Sequence, residues 1–194
     1  MAPLTILVTG FGPFPGAPVN PTGPLVKSLA QWRMGSAKIV THIFPTSYAA
    51  VDCDLPKLIA RHRTDALLMF GLATRAVTLR IETHARNALS RLADAGGFVP
   101  RLEWIAPGRG ASLSLPTPSR RLLAAARATG MPVALSNDAG DYLCNYLCWR
   151  AALAARKAGG PRLATFIHVP PGLNAGKLAR TGRALLKATA AVFR

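Results

Sequence analysis

Short apolar runs alternate along the chain with longer stretches in which apolar residues recur every three or four positions. The run "LTILVTG" at 4–10 is apolar, rich in β-branched residues and stopped by glycine, as is typical of a buried strand. The same pattern predicts further strands at 37–45, 65–72, 131–136 and 162–170. The stretches between and after them predict helices at 22–32, 48–63, 119–129, 140–158 and 175–192. This alternation predicts an α/β fold: a single domain over residues 1–194, with a three-layer α/β/α architecture and an open, mostly parallel twisted sheet.

The middle of the chain departs from this alternation twice. Residues 77–87, "VTLRIETHARN", alternate as a strand does, with Val77 on the apolar face and Glu82 on the polar face. From 88 to 118 no periodicity is visible, and glycine and proline are frequent. Connections of that length are uncommon, so we expect a functional or mobile loop there.

The composition adds a strong positive charge to this picture. Half of the residues are hydrophobic (50%), which argues against disorder, while the net charge is +16. Such a charge favours binding to nucleic acid through phosphate contacts. The cations are mostly arginines scattered along the chain, with no zinc-finger or RNP pattern among them. A basic nucleic-acid-binding protein is therefore the alternative from another functional class, and not the main expectation.

The hydropathy, the N-terminus and the cysteine spacing predict the location of the protein and the redox state of its cysteines. No apolar run approaches the ~20 residues that span a bilayer, and the N-terminus lacks the pattern of a signal peptide. We therefore expect a soluble cytoplasmic protein without a membrane partner. The three cysteines have no framework spacing, so we expect free thiols.

The segment "SNDAGDYLCNYL" at 136–147 leads from a turn into a predicted helix that carries Cys144. Ser136, Asn137 and Asp138 are candidate helix caps, and Gly140 suits a tight turn. A cysteine near a helix N-terminus, at the carboxyl end of a central strand, would be favoured as a nucleophilic thiolate. Two alternatives stay open at this point: a cysteine buried in the core, as we expect for Cys148, and a zinc site formed by these two thiols with a histidine.

Two further residues could complete a nucleophilic site. His168, in "TFIHVPP", stands near the end of an apolar strand, where an imidazole requires a hydrogen bond. It is either a satisfied core histidine or a general base for Cys144, which adjacent parallel strands would bring close. Glu82 could orient that histidine, or could instead be a solvated charge paired with a nearby arginine such as Arg80.

The glycine-rich loop "VTGFGPFPG" at 8–16 contains neither GxGxxG nor a P-loop lysine. It carries Phe11 and Phe14 among prolines. Rigidly held aromatic side chains at the end of a strand suit a small, flat ring as ligand, although both could equally belong to the core.

Four segments, taken together, resemble the pyroglutamyl peptidase I (pyrrolidone-carboxylate peptidase) family of cysteine peptidases. They are "ILVTGFGPFPGAPVNPT", "GLATRAVTLRIETHARN", "VALSNDAGDYLCNYLCWRAAL" and "FIHVPP". The resemblance implies a catalytic triad of Cys144 as nucleophile, His168 as base and Glu82 as the residue orienting it. It also implies hydrolysis of an N-terminal pyroglutamyl residue through a thioester, with peptides of blocked N-terminus as substrates and no metal or cofactor. A homo-oligomer is left open.

The resemblance further implies a set of substrate-binding residues: Phe11, Phe14, Asn20, Gly71 and Leu72. Leu72 stands where the family usually has glutamine, and the family's oxyanion arginine has only Arg91 near its position, one residue away. Asp141, one turn before Cys144, would raise the pKa of the thiol if it faced it. A related amidase with another N-terminal specificity is therefore the alternative within enzymes.

Overall fold

Six strands form one sheet at the centre of the protein, which we describe from a computed structural model for residues 3–14, 16–35 and 37–194. The strands of this sheet, in chain order, are β1 (Thr5–Phe11), β2 (Lys38–Phe44), β3 (Ala66–Leu72), β4 (Leu79–Glu82), β7 (Val133–Ser136) and β8 (Leu163–Val169). A separate two-stranded ribbon consists of β5 (His84–Arg86) and β6 (Ser112–Ser114). The helices are α1 (Thr22–Ala30), α2 (Tyr48–His62), α3 (Ser119–Arg127), α4 (Leu143–Ala154) and α5 (Ala175–Ala190), with a 3-10 turn at Ala191–Phe193.

The sheet separates two hydrophobic layers. One face is covered by α1, α3 and α5, whose apolar side chains pack on one set of strand residues. The other face is covered by α2 and α4 together with residues of the ribbon and its flanking loops. Strands β1, β3 and β8 are buried on both faces, which explains why they read as continuous apolar runs. The three-layer α/β/α architecture predicted from the sequence is confirmed.

The strand order is β2-β1-β3-β8-β4-β7. All neighbours are parallel except β4 and β8, which are antiparallel, so the sheet is mostly parallel as predicted. One expectation is wrong: the strand before Cys144 is β7, which lies at the edge of the sheet and not at its centre. Because β4 lies between β7 and β8, adjacent parallel strands do not bring Cys144 and His168 together. Apolar content alone does not encode the order of strands.

Local boundaries also differ from the predicted ones. Val77 is exposed, because β4 begins only at Leu79. The helix that carries Cys144 begins at Leu143, so the thiol lies in its first turn. The predicted loop 88–118 is not wholly irregular, since it contains β6. None of the helices in the described part of the chain is both long and apolar enough to cross a membrane.

Candidate active site

The central strands align three positions at one level of the sheet. In the register of β3 with β8, Gly71 is paired with His168, and in the antiparallel register of β8 with β4, His168 is paired with Arg80. Directly opposed residues of an antiparallel pair project to the same face, and Glu82 follows Arg80 on that face by strand alternation. The sheet therefore directs Arg80, Glu82 and His168 to a common point.

His168 and Glu82 form a buried hydrogen-bonded pair. The distance from His168 Nδ1 to Glu82 Oε1 is 2.7 Å, and the two side chains are 4% and 0% exposed. With the proton on Nδ1 donated to the carboxylate, Nε2 is the nitrogen left to accept a proton. Glu82 is therefore not a solvated surface charge, although it also pairs with Arg80, as the second sequence-based alternative expected.

Cys144 reaches the same point from α4. A methyl group built on Gly71 would lie 2.6 Å from Cys144 Sγ, so the thiol packs directly on the β3 backbone beside the position paired with His168. Gly140 turns the chain before the helix with a φ of +83°, as expected. The prediction that Ser136, Asn137 or Asp138 caps the helix is wrong, because the N-cap residue of α4 is Tyr142, which makes no side-chain cap hydrogen bond. Ser136 and Asp138 instead stabilise the preceding turn by accepting backbone N–H groups.

The electrostatic surroundings of the thiol differ from expectation. The pKa of Cys144 is raised to about 12, first by burial and second by the charge of Glu82, while the charge of Arg80 acts in the opposite direction. The predicted effect of a helix N-terminus does not dominate, because desolvation penalises the thiolate more strongly. The side chain of Asp141 is exposed, and the charges that act on the pKa of the thiol are those of Glu82 and Arg80.

A cavity of about 440 Å³ opens over Cys144 and His168. Phe11 and Phe14 both line it, so they are not purely core residues, although Phe11 is only 2% exposed and packs on Phe44. Phe14 is half-buried, and its ring centroid lies 6.1 Å from that of Tyr142, another lining residue. The described part of the loop 8–16 therefore contributes an aromatic wall to the cavity.

The other predicted substrate-binding residues lie at or beside this cavity. Leu72 lines it with an apolar side chain. Asn20 also lines it, and its amide donates to Gly12 O while its carbonyl oxygen accepts from Thr22, which fixes the aromatic loop. Gly71 lies beneath the thiol rather than at the cavity wall.

The sequence profile of one family, pyroglutamyl peptidase, matches residues 4–181 of the chain. The chain belongs to the pyroglutamyl peptidase family. A pyrrolidone-carboxylate peptidase of Pyrococcus furiosus is 32% identical over 168 residues, 86% of this chain and 81% of that protein. The pyrrolidone-carboxylate peptidase of Clavibacter michiganensis is 33% identical over 167 residues, 86% of this chain and 78% of that protein.

Solved structures of the same family agree in fold. A mutant pyrrolidone carboxyl peptidase of Pyrococcus furiosus superposes with a TM-score of 0.92 at 25% identity, covering 98% of this chain and 100% of that one. The pyrrolidone carboxyl peptidase of Thermococcus litoralis gives a TM-score of 0.91 at 24% identity over 98% of this chain and 94% of that chain, a likeness of fold alone. The resemblance read from the four sequence segments is confirmed at the level of the family.

Arg91, a further predicted site residue, lies on the protein surface and does not line the cavity. Its guanidinium pairs with Glu103, and its side chain is 79% exposed. The residue of this segment that does line the cavity is the next one, Leu92. The guanidinium of Arg91 therefore does not reach the cavity in the described arrangement, and the expected oxyanion contact from it is absent there.

Two buried asparagines belong to the family segments, but their contacts could not be predicted, because these contacts join residues distant in the chain. Asn145 Nδ2 donates to Arg86 O and Ala88 O, while its Oδ1 accepts from Arg86 N, so it ties α4 to the ribbon next to the thiol. Asn87 Nδ2 donates to carbonyls of the loop at Ala106, Arg109 and Gly110. The zinc alternative finds no ligand set: among the described residues no three His, Cys, Asp or Glu side chains are arranged to hold a metal ion.

Proposed function

We propose that the protein removes an N-terminal pyroglutamyl residue from peptides, with Cys144 as nucleophile, His168 as general base and Glu82 as the residue that orients His168. The observation that carries the proposal is the buried 2.7 Å contact of His168 with Glu82 at the floor of the cavity that Cys144 lines. Family membership and the named peptidases among its relatives support the reaction class.

The raised pKa of Cys144 favours general-base catalysis over a preformed thiolate. Since burial keeps the thiol neutral near pH 7, its proton passes to His168 Nε2 as Sγ attacks the pyroglutamyl carbonyl. The tetrahedral adduct then breaks its C–N bond, and the same proton leaves with the peptide amine. Water, deprotonated by His168, hydrolyses the thioester and releases pyroglutamate and the free thiol.

The start of α4 supplies donors for the oxyanion. The first hydrogen bond of this helix runs from Tyr146 N to Tyr142 O, so the N–H groups of Leu143 and Cys144 precede it and have no acceptor within the helix. Such groups stabilise a developing negative charge next to the nucleophile. They take the place that the resemblance assigned in part to an arginine.

The aromatic wall suits the pyroglutamyl ring, which is small and flat. Phe11 and Phe14 offer apolar faces, and Leu72 continues the apolar surface where the family usually has a polar glutamine. We expect main-chain groups near Gly71 to form hydrogen bonds with the lactam of the pyroglutamyl ring. The cytoplasmic location and the homo-oligomer stay predictions.

The test is the release of a fluorophore from a pyroglutamyl amide. Wild type is expected to turn over this substrate under reducing conditions, while Cys144→Ala is expected to be inactive. Cys53→Ser is the matched control, because Cys53 is an exposed cysteine on α2. Turnover of a different N-terminal amide, with none of the pyroglutamyl compound, would replace the proposal with the related amidase.

A further inference from the structure

Arg80 is the charged side chain nearest to the Glu82–His168 pair, and the proposed mechanism assigns it no role. Its Nε lies 3.3 Å from Glu82 Oε1, and its Nη2 lies 3.4 Å from His168 Nδ1. The side chain is 35% exposed and lines the cavity, so it connects the buried carboxylate with the cavity surface.

Glu82 depends on this cation. The carboxylate is fully buried, its Oε1 accepts the proton of His168, and its Oε2 has no hydrogen-bond partner among the described residues. A buried carboxylate is costly unless a cation compensates it. His168 must be neutral to accept the thiol proton, and Arg80 is then the one permanent cation within ion-pair distance of Glu82 in the described chain.

Resting on the proposed function, we propose that Arg80 is a positioning residue that supplies the permanent counter-charge of Glu82. It balances the charge of the buried carboxylate while His168 is the neutral base. An ionised Glu82 accepts the proton of Nδ1 and leaves Nε2 free. A protonated Glu82 would instead donate to Nδ1, which would place the imidazole proton on Nε2 and block transfer from the thiol.

The same charge acts on the nucleophile. Burial raises the pKa of Cys144, Glu82 raises it further, and Arg80 lowers it. The other titratable groups around the thiol are His168 on β8, Cys148 on α4 and Tyr142 at the start of α4, while the cavity also bears Arg75 and Asp141. Of the two cavity arginines, only Arg80 forms an ion pair with Glu82.

The first experiment reads the thiol without any substrate. In a Cys53→Ser background, alkylation of Cys144 by iodoacetamide is followed by mass spectrometry at a fixed pH below 9, where the rate is proportional to the thiolate fraction. Arg80→Gln should slow this alkylation by about tenfold, as expected for about one unit of thiol pKa. Arg80→Lys should slow the alkylation less than Arg80→Gln does, because lysine retains the positive charge. Arg86→Gln, which removes an arginine from an exposed pair with Asp138, should match wild type.

The second experiment reads catalysis on the pyroglutamyl amide. Arg80→Gln should lower kcat by about tenfold or more and leave KM within about twofold, since the residue acts through the triad. In a Glu82→Gln background, Arg80→Gln should lower kcat little further, because the negative charge that Arg80 compensates is already absent.

Two results of the alkylation experiment would overturn the inference: an unchanged rate in Arg80→Gln, or equal falls in rate in Arg80→Lys and Arg80→Gln. Two results of the kinetic experiment would also overturn it: an equal fall in kcat from Arg80→Gln with and without the Glu82 carboxylate, or a rise in KM alone. The last result would make Arg80 a substrate-binding residue. An inactive wild type would remove the proposed function, while the alkylation rates would still decide whether Arg80 acts on the site.

Discussion

Gly71 and Cys144 pack so closely that no side chain fits between them. A methyl group on Gly71 would lie 2.6 Å from Cys144 Sγ and 2.6 Å from Phe166 Cζ, well inside van der Waals contact. The absence of a side chain at this position is therefore what allows the thiol to settle on β3 beside His168.

Gly71→Ala should consequently displace the thiol or the Phe166 ring. We expect a loss of about 1–3 kcal/mol in the free energy of unfolding from overpacking, and a fall of about tenfold or more in kcat/KM from the misplaced nucleophile. Urea unfolding and the amide assay measure both. Gly23→Ala is the matched control, because a methyl group there meets only ordinary contacts, the nearest at 3.7 Å. Unchanged activity in Gly71→Ala would show that the thiol has freedom to move.

Arg91→Gln should leave catalysis nearly intact, although the family resemblance assigns an arginine near this position to the oxyanion. Its pair with Glu103 is exposed, and such pairs contribute about 0–1 kcal/mol to stability. We expect kcat within about twofold of wild type and an unchanged melting temperature. A tenfold fall in kcat would mean that the segment rearranges around bound substrate and brings the guanidinium to the cavity.

The protein should lose stability at alkaline pH through its buried thiols. Burial raises the pKa of Cys148 well above 9.0, and the nearby groups Cys144 and Glu82 raise it further. The neutral thiol is thus favoured by the folded state. Its contribution is fully present below the unfolded pKa of about 9 and decreases as pH rises above it, by up to about 1.4 kcal/mol per pH unit for each buried thiol.

Urea unfolding at pH 8, 9 and 10 measures this slope. Cys148→Ala should reduce the slope by the contribution of one buried thiol. Cys53→Ser should leave the slope unchanged, because Cys53 is exposed in the folded state as well. Equal slopes in all three proteins would show that ionisation of Cys148 does not contribute.

The sequence predicted the residues of the candidate site better than it predicted the order of the strands. Glu82, His168 and Cys144 could be selected because each stands at an element end in a chemically unusual setting, and because the four family segments occur together. The edge position of β7 and the antiparallel β4 could not be predicted, since strand order depends on packing between distant segments. The sequence predicts Arg80 only as a partner for a surface carboxylate, because strand alternation shows which residues share a face but not whether that face is buried.

One buried carboxylate anchors the first part of the long connection 88–118. Asp94 is 2% exposed, and it accepts backbone N–H groups from Tyr48 at the start of α2 and from Gly96 and Phe98 within the loop. Burial opposes its ionisation, but these donors lower its pKa below the ordinary value of 3.8. Its contribution is therefore present above about pH 4 and lost as pH falls through the folded pKa.

Asp94→Ala should leave three backbone donors without their acceptor and cost about 1–3 kcal/mol in the free energy of unfolding. Because the same segment carries Leu92 to the cavity, we also expect KM for the pyroglutamyl amide to rise. Hydrogen exchange localises the effect: amides in 88–100 should exchange faster, while those of β3 and β8 should not. Asp65→Ala is an informative comparison, because Asp65 accepts a backbone N–H from Thr5 at the opposite end of the sheet. If Asp94→Ala, like Asp65→Ala, left hydrogen exchange in 88–100 unchanged, the loop would be held by its asparagine and apolar contacts rather than by Asp94.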